Sequence, residues 1–161
     1  MNAEILAVGT ELLLGDIVNT NTQFIAQGLA ELGITVHYQT VVGDNPERMK
    51  KAMNIAFERA DVIITTGGLG PTEDDLTKEI GAEYFGRELI LDEKALERIK
   101  TAFRKMNRKM TENNVKQAMV PKDAIVMYND NGTAPGIIIE NKDEIYEMRK
   151  KQNEIKRKVE A

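Results

Sequence analysis

Residues 62–77 read VIITTGGLGPTEDDLT, and this segment carries the clearest indication of the chain's architecture. A run of apolar and β-branched residues, typical of a buried strand, ends at the glycine-rich turn 67–70. Three carboxylates, Glu73, Asp74 and Asp75, follow that turn. A strand, a glycine turn and then a helix predict one unit of a parallel sheet, with a ligand loop at the edge of that sheet.

Two similar units precede this segment. Residues 4–8 (EILAV) and 34–42 (ITVHYQTVV) are predicted strands, and each one ends at a glycine. Between them lies a predicted loop and then a helix whose core face would carry Phe24, Ile25, Leu29 and Leu32. The repeated β-α pattern predicts an α/β fold with a mostly parallel sheet covered by helices on both faces.

The second half of the chain is predicted to be mixed. One helix is expected over 72–85, and a long amphipathic helix follows its capping residue Asp92. Residues 124–128 and 136–140 are predicted strands that pair with each other. We expect one domain over residues 1–161, of which 142–161 form a charged surface helix.

The composition excludes several classes of function. Of 161 residues 42% are hydrophobic, and the formal net charge is −4, so the chain can form a core but does not attract nucleic acid or an anionic membrane. The absence of cysteine excludes thiolate catalysis and cysteine-based zinc sites. No apolar run is long enough to span a bilayer, and we expect a cytoplasmic protein.

The single histidine carries little functional signal. His37 lies in the middle of a predicted strand, so a partly buried side chain is a better interpretation than a catalytic one. The chain has no serine and no second histidine, which excludes a serine-type triad and a histidine-rich metal site.

An acid follows the carboxyl end of each predicted strand. These acids are Asp16, Asp44 and Asp75, in the order of the strands. Because ligands bind beyond the carboxyl ends of the strands in an open parallel sheet, we expect all three carboxylates at the same edge. A turn residue at Asp16 and a helix-entry residue at Asp44 are equally good interpretations from the pattern alone.

The acids after the glycine turn restrict the ligand that this edge can hold. A helix N-terminus after Pro71 would attract phosphate, but it supplies only about 0.3–1 kcal/mol. Ionised carboxylates would repel phosphate by about 4 kcal/mol per pair at ~4 Å and an effective dielectric constant of 20. A divalent cation such as Mg²⁺ resolves the conflict because it binds carboxylates and phosphates together. Alternatively, Thr72 and Asp75 form a helix capping box, and Glu73 and Asp74 face solvent.

Four segments resemble, in the same order, the N-terminal domain of the CinA family. They are GTELLLGDIVNTN (9–21), VVGDNPE (41–47), TTGGLGPTEDDLT (65–77) and NGTAPG (131–136). That domain belongs to the molybdopterin-binding superfamily, the MoaB, MogA, MoeA and gephyrin group. The resemblance covers about residues 1–140 and implies a three-layer α/β/α sandwich and a homo-oligomer.

The resemblance also implies a function and a set of site residues. The CinA branch is associated with metal-dependent hydrolysis of ADP-ribose to AMP and ribose 5-phosphate. On this basis we expect catalytic roles for Asp75, Asp16 and Asp44, and binding of Mg²⁺, or of Mn²⁺ or Co²⁺, by Asp75, Asp44 and Asp74. The expected ligand-binding residues are Thr66, Gly67, Gly68, Gly70, Thr77, Asn19, Gly132, Thr133 and Gly136. Two alternatives stay open: a molybdopterin-binding or adenylyl-transferring protein, and a non-enzymatic binding module.

The chain departs from the family pattern after residue 140. CinA proteins usually carry a segment like LPGPPxEM there, whereas in this chain Ile145 and Tyr146 lead directly to Glu147. Many family members also carry a C-terminal domain that deamidates nicotinamide mononucleotide, and we do not transfer that activity to this chain.

Overall fold

A parallel sheet of three strands lies at the centre of the protein. The computed structural model describes residues 1–141, so the predicted helix at 142–161 lies outside the described residues. The strand order is β2-β1-β3, with β1 in the middle. The strands are β1 (Asn2–Val8), β2 (Thr35–Val42) and β3 (Val62–Thr66). The predicted α/β class with a mostly parallel sheet is confirmed.

Helices and two short strand pairs complete the described part of the chain. The helices are α1 (Thr10–Leu14), α2 (Thr20–Glu31), α3 (Pro46–Arg59), α4 (Thr77–Tyr84), α5 (Glu93–Lys105) and α6 (Glu112–Val115), which runs into a 3-10 helix (Lys116–Ala118). The antiparallel pairs are β4 (Leu89–Leu91) with β5 (Met119–Pro121), and β6 (Ile125–Met127) with β7 (Gly136–Ile138). The second pair confirms the predicted pairing. Within residues 1–141, no helix has the length and apolarity that a membrane span requires.

The middle strand β1 is buried on both faces, which produces three layers. Because side chains alternate along a strand, Ala3 and Ile5 pack with Leu29 of α2 on one face. Leu6 and Val8 pack with α3 and α4 on the other face, where the core includes Met49, Met53 and Ile80. Helices therefore cover both faces of the sheet, and the sandwich implied by the resemblance is confirmed.

A buried ion pair joins β1 to α3. The Glu4 side chain is fully buried, and its carboxylate accepts hydrogen bonds from Nε and Nη2 of Arg59, both at 2.8 Å. Thr40 of β2 donates its hydroxyl to the same carboxylate at 2.6 Å. The hydrogen bond from Arg59 lowers the pKa of Glu4 below its ordinary value of 4.5; burial opposes this effect, and Thr40 reinforces it.

Several local predictions are wrong. Residues 10–14 form the short helix α1 instead of a loop, and α4 begins at Thr77 instead of near residue 72. Phe24 is 77% exposed, so the core face of α2 is narrower than predicted. Leu32 is also exposed, because it lies just after the last helical residue. His37 is exposed because β2 borders the three-stranded sheet.

Candidate functional site

The carboxyl ends of the three parallel strands meet at one edge of the sheet, as predicted. The N–H of Gly9, just after β1, donates to the carbonyl of Val42 at the end of β2, at 2.9 Å. Oδ2 of Asp44 accepts hydrogen bonds from the N–H of Thr10 at 2.8 Å and from its hydroxyl at 2.9 Å. The Asp44 carboxylate therefore ties the start of α1 to the end of β2.

The glycine turn after β3 takes a backbone path that other residues would strain. Gly67 has φ of +93° and Gly68 has φ of +64°, the left-handed region that favours glycine. A Cβ atom on Gly67 would overlap the carbonyl oxygen of Val8, and one on Gly68 would overlap the hydroxyl of Thr77. The turn therefore lies directly against the end of β1, which only a residue without a side chain allows.

Thr77, a predicted ligand-binding residue, is buried beneath this turn. Its hydroxyl donates to the carbonyl of Gly67 at 2.8 Å, and its N–H donates to the carbonyl of Gly68 at 3.2 Å. Its side chain is only 3% exposed. Thr77 is the first residue of α4, and these contacts bind the glycine turn to the start of that helix.

Asp75 closes a second turn, which follows the glycines. Its Oδ2 accepts a hydrogen bond from the N–H of Thr72 at 3.0 Å and another from the Thr72 hydroxyl. The N–H of Asp75 donates back to the carbonyl of Thr72 at 3.3 Å. One half of the predicted capping box is present, because the Asp75 carboxylate accepts the N–H of Thr72, but this bond closes a turn that precedes the helix, and the N-cap of α4 is Leu76.

The surroundings of Asp75 keep its carboxyl group ionised. Burial raises the pKa of Asp75, but hydrogen bonds from the Thr72 side chain and backbone lower it, as do the Gly70 backbone and the charge of Lys116. The net result is a pKa below the ordinary value of 3.8. At neutral pH this group is a fixed negative charge, which suits cation binding better than proton transfer.

Lys116 is a residue of this site that the sequence did not reveal. Its Nζ donates to the carbonyl of Thr72 at 2.7 Å and to the carbonyl of Asp75 at 2.6 Å. The neighbouring Gln117 is buried, and its Nε2 donates to the carbonyl of Leu69 at 3.4 Å. Both residues lie about forty positions downstream of the turn, and no local pattern links such distant segments.

Two cavities border the site. The first, of about 120 Å³, lies beside the N-terminus of α2 and is lined by the predicted ligand residues Asn19, Thr66 and Gly67, with Asn21. Nδ2 of Asn21 donates to the Thr66 hydroxyl at 3.3 Å across it. The second, of about 420 Å³, is lined by Pro71, Thr72, Glu73, Glu112, Asn113 and Lys116. Three of the predicted ligand residues thus share one cavity, and the Asp75 turn borders another.

The predicted metal ligands are not gathered into one cluster. Within residues 1–141, no group of three or more acidic or histidine side chains is arranged to hold a metal ion. Oδ2 of Asp44 accepts two hydrogen bonds from Thr10, and the side chain of Asp74, next to Asp75 in the chain, is exposed. Asp16 is exposed after α1, where its N–H donates to the carbonyl of Glu11 at 3.0 Å. A metal shared by Asp75, Asp44 and Asp74 is therefore not a preformed protein site.

The segment NGTAPG forms the connection between β6 and β7. Gly132 lies against the side chain of Asn129, and Gly136 pairs with Met127 in the strand ladder. Nδ2 of Asn129 donates across the connection to the carbonyl of Ala134 at 3.3 Å. These contacts lie within the hairpin, and ligand binding by Gly132, Thr133 and Gly136 stays a prediction.

Comparison with known proteins identifies the family to which this chain belongs. The model described as "Probable molybdopterin binding domain" matches residues 4–152. A "CinA-like protein" of Dictyoglomus thermophilum is 59% identical over 145 residues, which cover 90% of this chain and 35% of that protein. A "Putative competence-damage inducible protein" of Clostridium novyi is 61% identical over 145 residues, with the same coverage. The chain thus spans about a third of the length of these curated relatives.

Solved structures agree with this assignment. The crystal structure of the protein CinA from Thermoplasma acidophilum matches with a TM-score of 0.78 and 37% identity, covering 88% of this chain and 82% of that one. The molybdopterin biosynthesis enzyme MoaB from Thermus thermophilus matches with a TM-score of 0.52 and 21% identity, covering 84% of this chain and 78% of that one, a likeness of fold alone. The chain therefore belongs to the molybdopterin-binding domain family, and within that family it is CinA-like.

Proposed function

We propose that this domain hydrolyses the pyrophosphate bond of nucleotide sugars with the help of a divalent cation, and that ADP-ribose is its substrate. The observation that supports this proposal best is the ionised Asp75 carboxylate, which a tight turn holds beside the glycine backbone at the ligand edge. In the reaction, water attacks one phosphorus atom and the bridging P–O bond breaks. The products are AMP and ribose 5-phosphate, and the two protons released go to solvent.

The phosphates would lie along the glycine turn. Gly67 and Gly68 have no side chains, so a phosphate can approach their backbone closely. The cavity beside Gly67 also faces the N-terminus of α2, whose N–H groups and dipole favour an anion, while Glu11 in the same lining is a further reason for a cation to accompany the phosphate. Asn19 and Thr66 line the same cavity and offer polar side chains to the nucleotide.

The donor set at the turn fits a hydrated magnesium ion. Mg²⁺ usually binds one or two carboxylates together with substrate phosphates and keeps several waters, so it needs no cluster of three carboxylates. Asp75 supplies one ionised carboxylate and the exposed Asp74 precedes it directly in the chain, while Asp44 lies just after β2 and accepts hydrogen bonds from Thr10. When bound, the ion would neutralise charge that develops on the leaving phosphate.

The test is an assay of AMP release from ADP-ribose with Mg²⁺, Mn²⁺ or Co²⁺, and again in excess chelator. We expect AMP only when a cation is present. Asp75→Asn should lower kcat at least about a hundredfold, because it removes the charge that holds the cation. The fold should survive, since an asparagine oxygen can still accept the N–H of Thr72.

Asp123→Asn is the matched control. Asp123 is exposed in the turn before β6 and has φ of 61°, which asparagine also tolerates. The Asp123→Asn variant should turn over ADP-ribose at the same rate as the unaltered protein. Absence of AMP with all three cations would overturn the proposal, and unchanged turnover of Asp75→Asn would remove Asp75 from the site.

A second candidate function is binding or adenylylation of molybdopterin in the same cavities. The family match over residues 4–152 favours it. The chemistry of the edge is compatible, because molybdopterin also carries a phosphate. Tight retention of molybdopterin together with no AMP from ADP-ribose would select this candidate, whereas AMP formation without retention would select hydrolysis.

A further inference from the structure

Lys116 bridges the two ends of the turn that carries Asp75. Its ammonium group donates both to the carbonyl of Thr72 and to the carbonyl of Asp75, at 2.7 and 2.6 Å. The side chains of Thr72 and Asp75 close the same turn from the other direction. Removal of Lys116 would leave two carbonyls without this charged donor, and such hydrogen bonds are stronger than neutral ones.

Lys116 is itself held in place by α4. The Nζ atom of Lys78 donates to the backbone carbonyl of Lys116, and a carboxylate oxygen of Glu79 lies 3.9 Å from the Lys116 ammonium. Burial lowers the pKa of Lys78, with Glu79 opposing the shift and Lys116 adding to it. The Lys116 side chain is only about a quarter exposed, at 26%. The ammonium group of an ordinary surface lysine is bound by water, whereas that of Lys116 is bound by two backbone carbonyls.

Lys116 also adds a positive charge beside the carboxylates of the Asp75 turn. Lys116 lines the 420 Å³ cavity together with Thr72 and Glu73. The carboxylates at Glu73, Asp74 and Asp75 would repel a phosphate, and the ammonium group of Lys116 beside them offsets part of that repulsion. The protein thus supplies one positive charge of its own at the turn.

We infer that Lys116 is a positioning residue that holds the Asp75 turn in its ligand-receiving geometry. The inference rests on the proposed function only for the identity of the ligand. The geometric part concerns the ligand-free protein and can be measured separately.

The first test is hydrogen exchange of the ligand-free chain, followed by mass spectrometry of peptides that cover residues 69–76. Lys116→Met keeps the apolar stem and removes the charged donor. It should speed exchange of the turn amides about tenfold, because two hydrogen bonds from a charged group are lost. Lys116→Arg keeps a charged donor and should exchange close to the unaltered rate.

Lys122→Met is the matched control, because the Lys122 side chain is exposed and its only described hydrogen-bond partner is the exposed Glu88. Its turn peptides should exchange at the unaltered rate. Equal exchange in Lys116→Met and the unaltered chain would overturn the inference. Faster exchange over the whole molecule, and not only over residues 69–76, would also overturn it, because that result reports general destabilisation.

The second test uses steady-state hydrolysis of ADP-ribose. Lys116→Met should lower kcat about tenfold while KM changes less than about twofold, since a displaced Asp75 weakens stabilisation of the transition state more than substrate binding. Lys116→Arg should restore most of kcat. If the unaltered protein makes no AMP, the proposed function fails and the exchange result alone decides the role of Lys116. If AMP forms and Lys116→Met leaves kcat unchanged, the inference fails and the proposed function stands.

Discussion

At Gly67 the chain leaves β3 with a positive φ and passes against the last carbonyl of β1. Any other residue at this position would raise the free energy of the folded state for two separate reasons. A left-handed backbone costs an L-residue about 1–2 kcal/mol, and the overlap with Val8 adds the cost of a displaced backbone. The first glycine of the ligand loop is therefore a structural requirement as well as a candidate phosphate contact.

Gly67→Ala should lower the free energy of unfolding by at least about 2 kcal/mol, the sum of backbone strain and overpacking. Urea denaturation followed by circular dichroism measures this change. Gly28→Ala is the matched control, because Gly28 lies inside α2 with open space around its α-carbon. It should raise the same free energy by about 0.5–1 kcal/mol. Equal effects of the two substitutions would contradict the assignment of strain to Gly67.

At the residue scale, the sequence indicated the glycines and the acid of the turn after β3 through their local pattern. The glycines at 67–70 and the acid at 75 lie within one short segment, and their types already restrict backbone path and charge. Lys116 could not be found this way, because its contacts with Thr72 and Asp75 depend on where a distant helix packs. The burial of Thr77 was also missed, since a threonine beside a glycine turn suits a ligand contact and a structural hydrogen bond equally well.

At the scale of elements, the start of a helix was predicted correctly where its capping residue has no competing interaction nearby. Helix α5 begins after its predicted capping residue Asp92, whose side chain accepts a hydrogen bond from the N–H of Ala95. The start of α4 was wrong because Asp75 bonds to Thr72 and holds the chain in a turn that competes with the helix. Helix α1 was missed because it has only five residues, too few to show periodicity.

The Glu4–Arg59 pair that joins β1 to α3 makes stability depend on pH. The pKa of Glu4 is lower in the folded protein than its ordinary value of 4.5. Its contribution is therefore fully present above pH 4.5 and is lost as the pH falls through the folded pKa. Glu4→Gln should be less stable than the unaltered chain at pH 7, and the difference between them should shrink below pH 4.5. Urea unfolding at several pH values measures both quantities.

Arg59→Met supplies the complementary measurement. It should destabilise the protein more than Glu4→Gln does at pH 7, because it leaves a buried carboxylate unpaired. The double variant should recover part of this loss, since no charge then remains. Lys50→Met, which breaks the exposed pair with Glu83, should change little. A pH-independent difference between Glu4→Gln and the unaltered chain would contradict the role of the pair.

On the scale of the whole molecule, the order of elements determined most of what the sequence could predict. Alternating strands and helices imply parallel pairing, and parallel pairing brings the strand ends together. Which faces stay exposed depends on strand order, which the pattern does not encode. The predicted burial of His37 failed for this reason, because β2 lies at the border of the sheet.

The predicted homo-oligomer is a further property of the whole molecule. Phe24 is 77% exposed on α2, a large apolar side chain that a second copy could bury. Because the family resemblance implies a homo-oligomer, light scattering should give a mass that is a multiple of 18.1 kDa. Phe24→Asp should shift that mass toward 18.1 kDa, whereas Gln27→Asp, on an exposed position of the same helix, should not. A mass of 18.1 kDa for the unaltered chain at every concentration would contradict the prediction.

The border position of β2 has one more consequence. Within residues 1–141 this eight-residue strand pairs with β1 alone, so the amides and carbonyls of its outer side point away from the sheet. Such a row can template strand addition by any extended peptide. Arg59 stacks over the ring of Tyr38, with 3.8 Å from its Cζ to the ring centroid, but its charge is paired with the buried Glu4 of β1 and so does not guard this row. We therefore expect the outer side of β2 to be a starting point for fibrillar self-association when the concentrated protein is warmed.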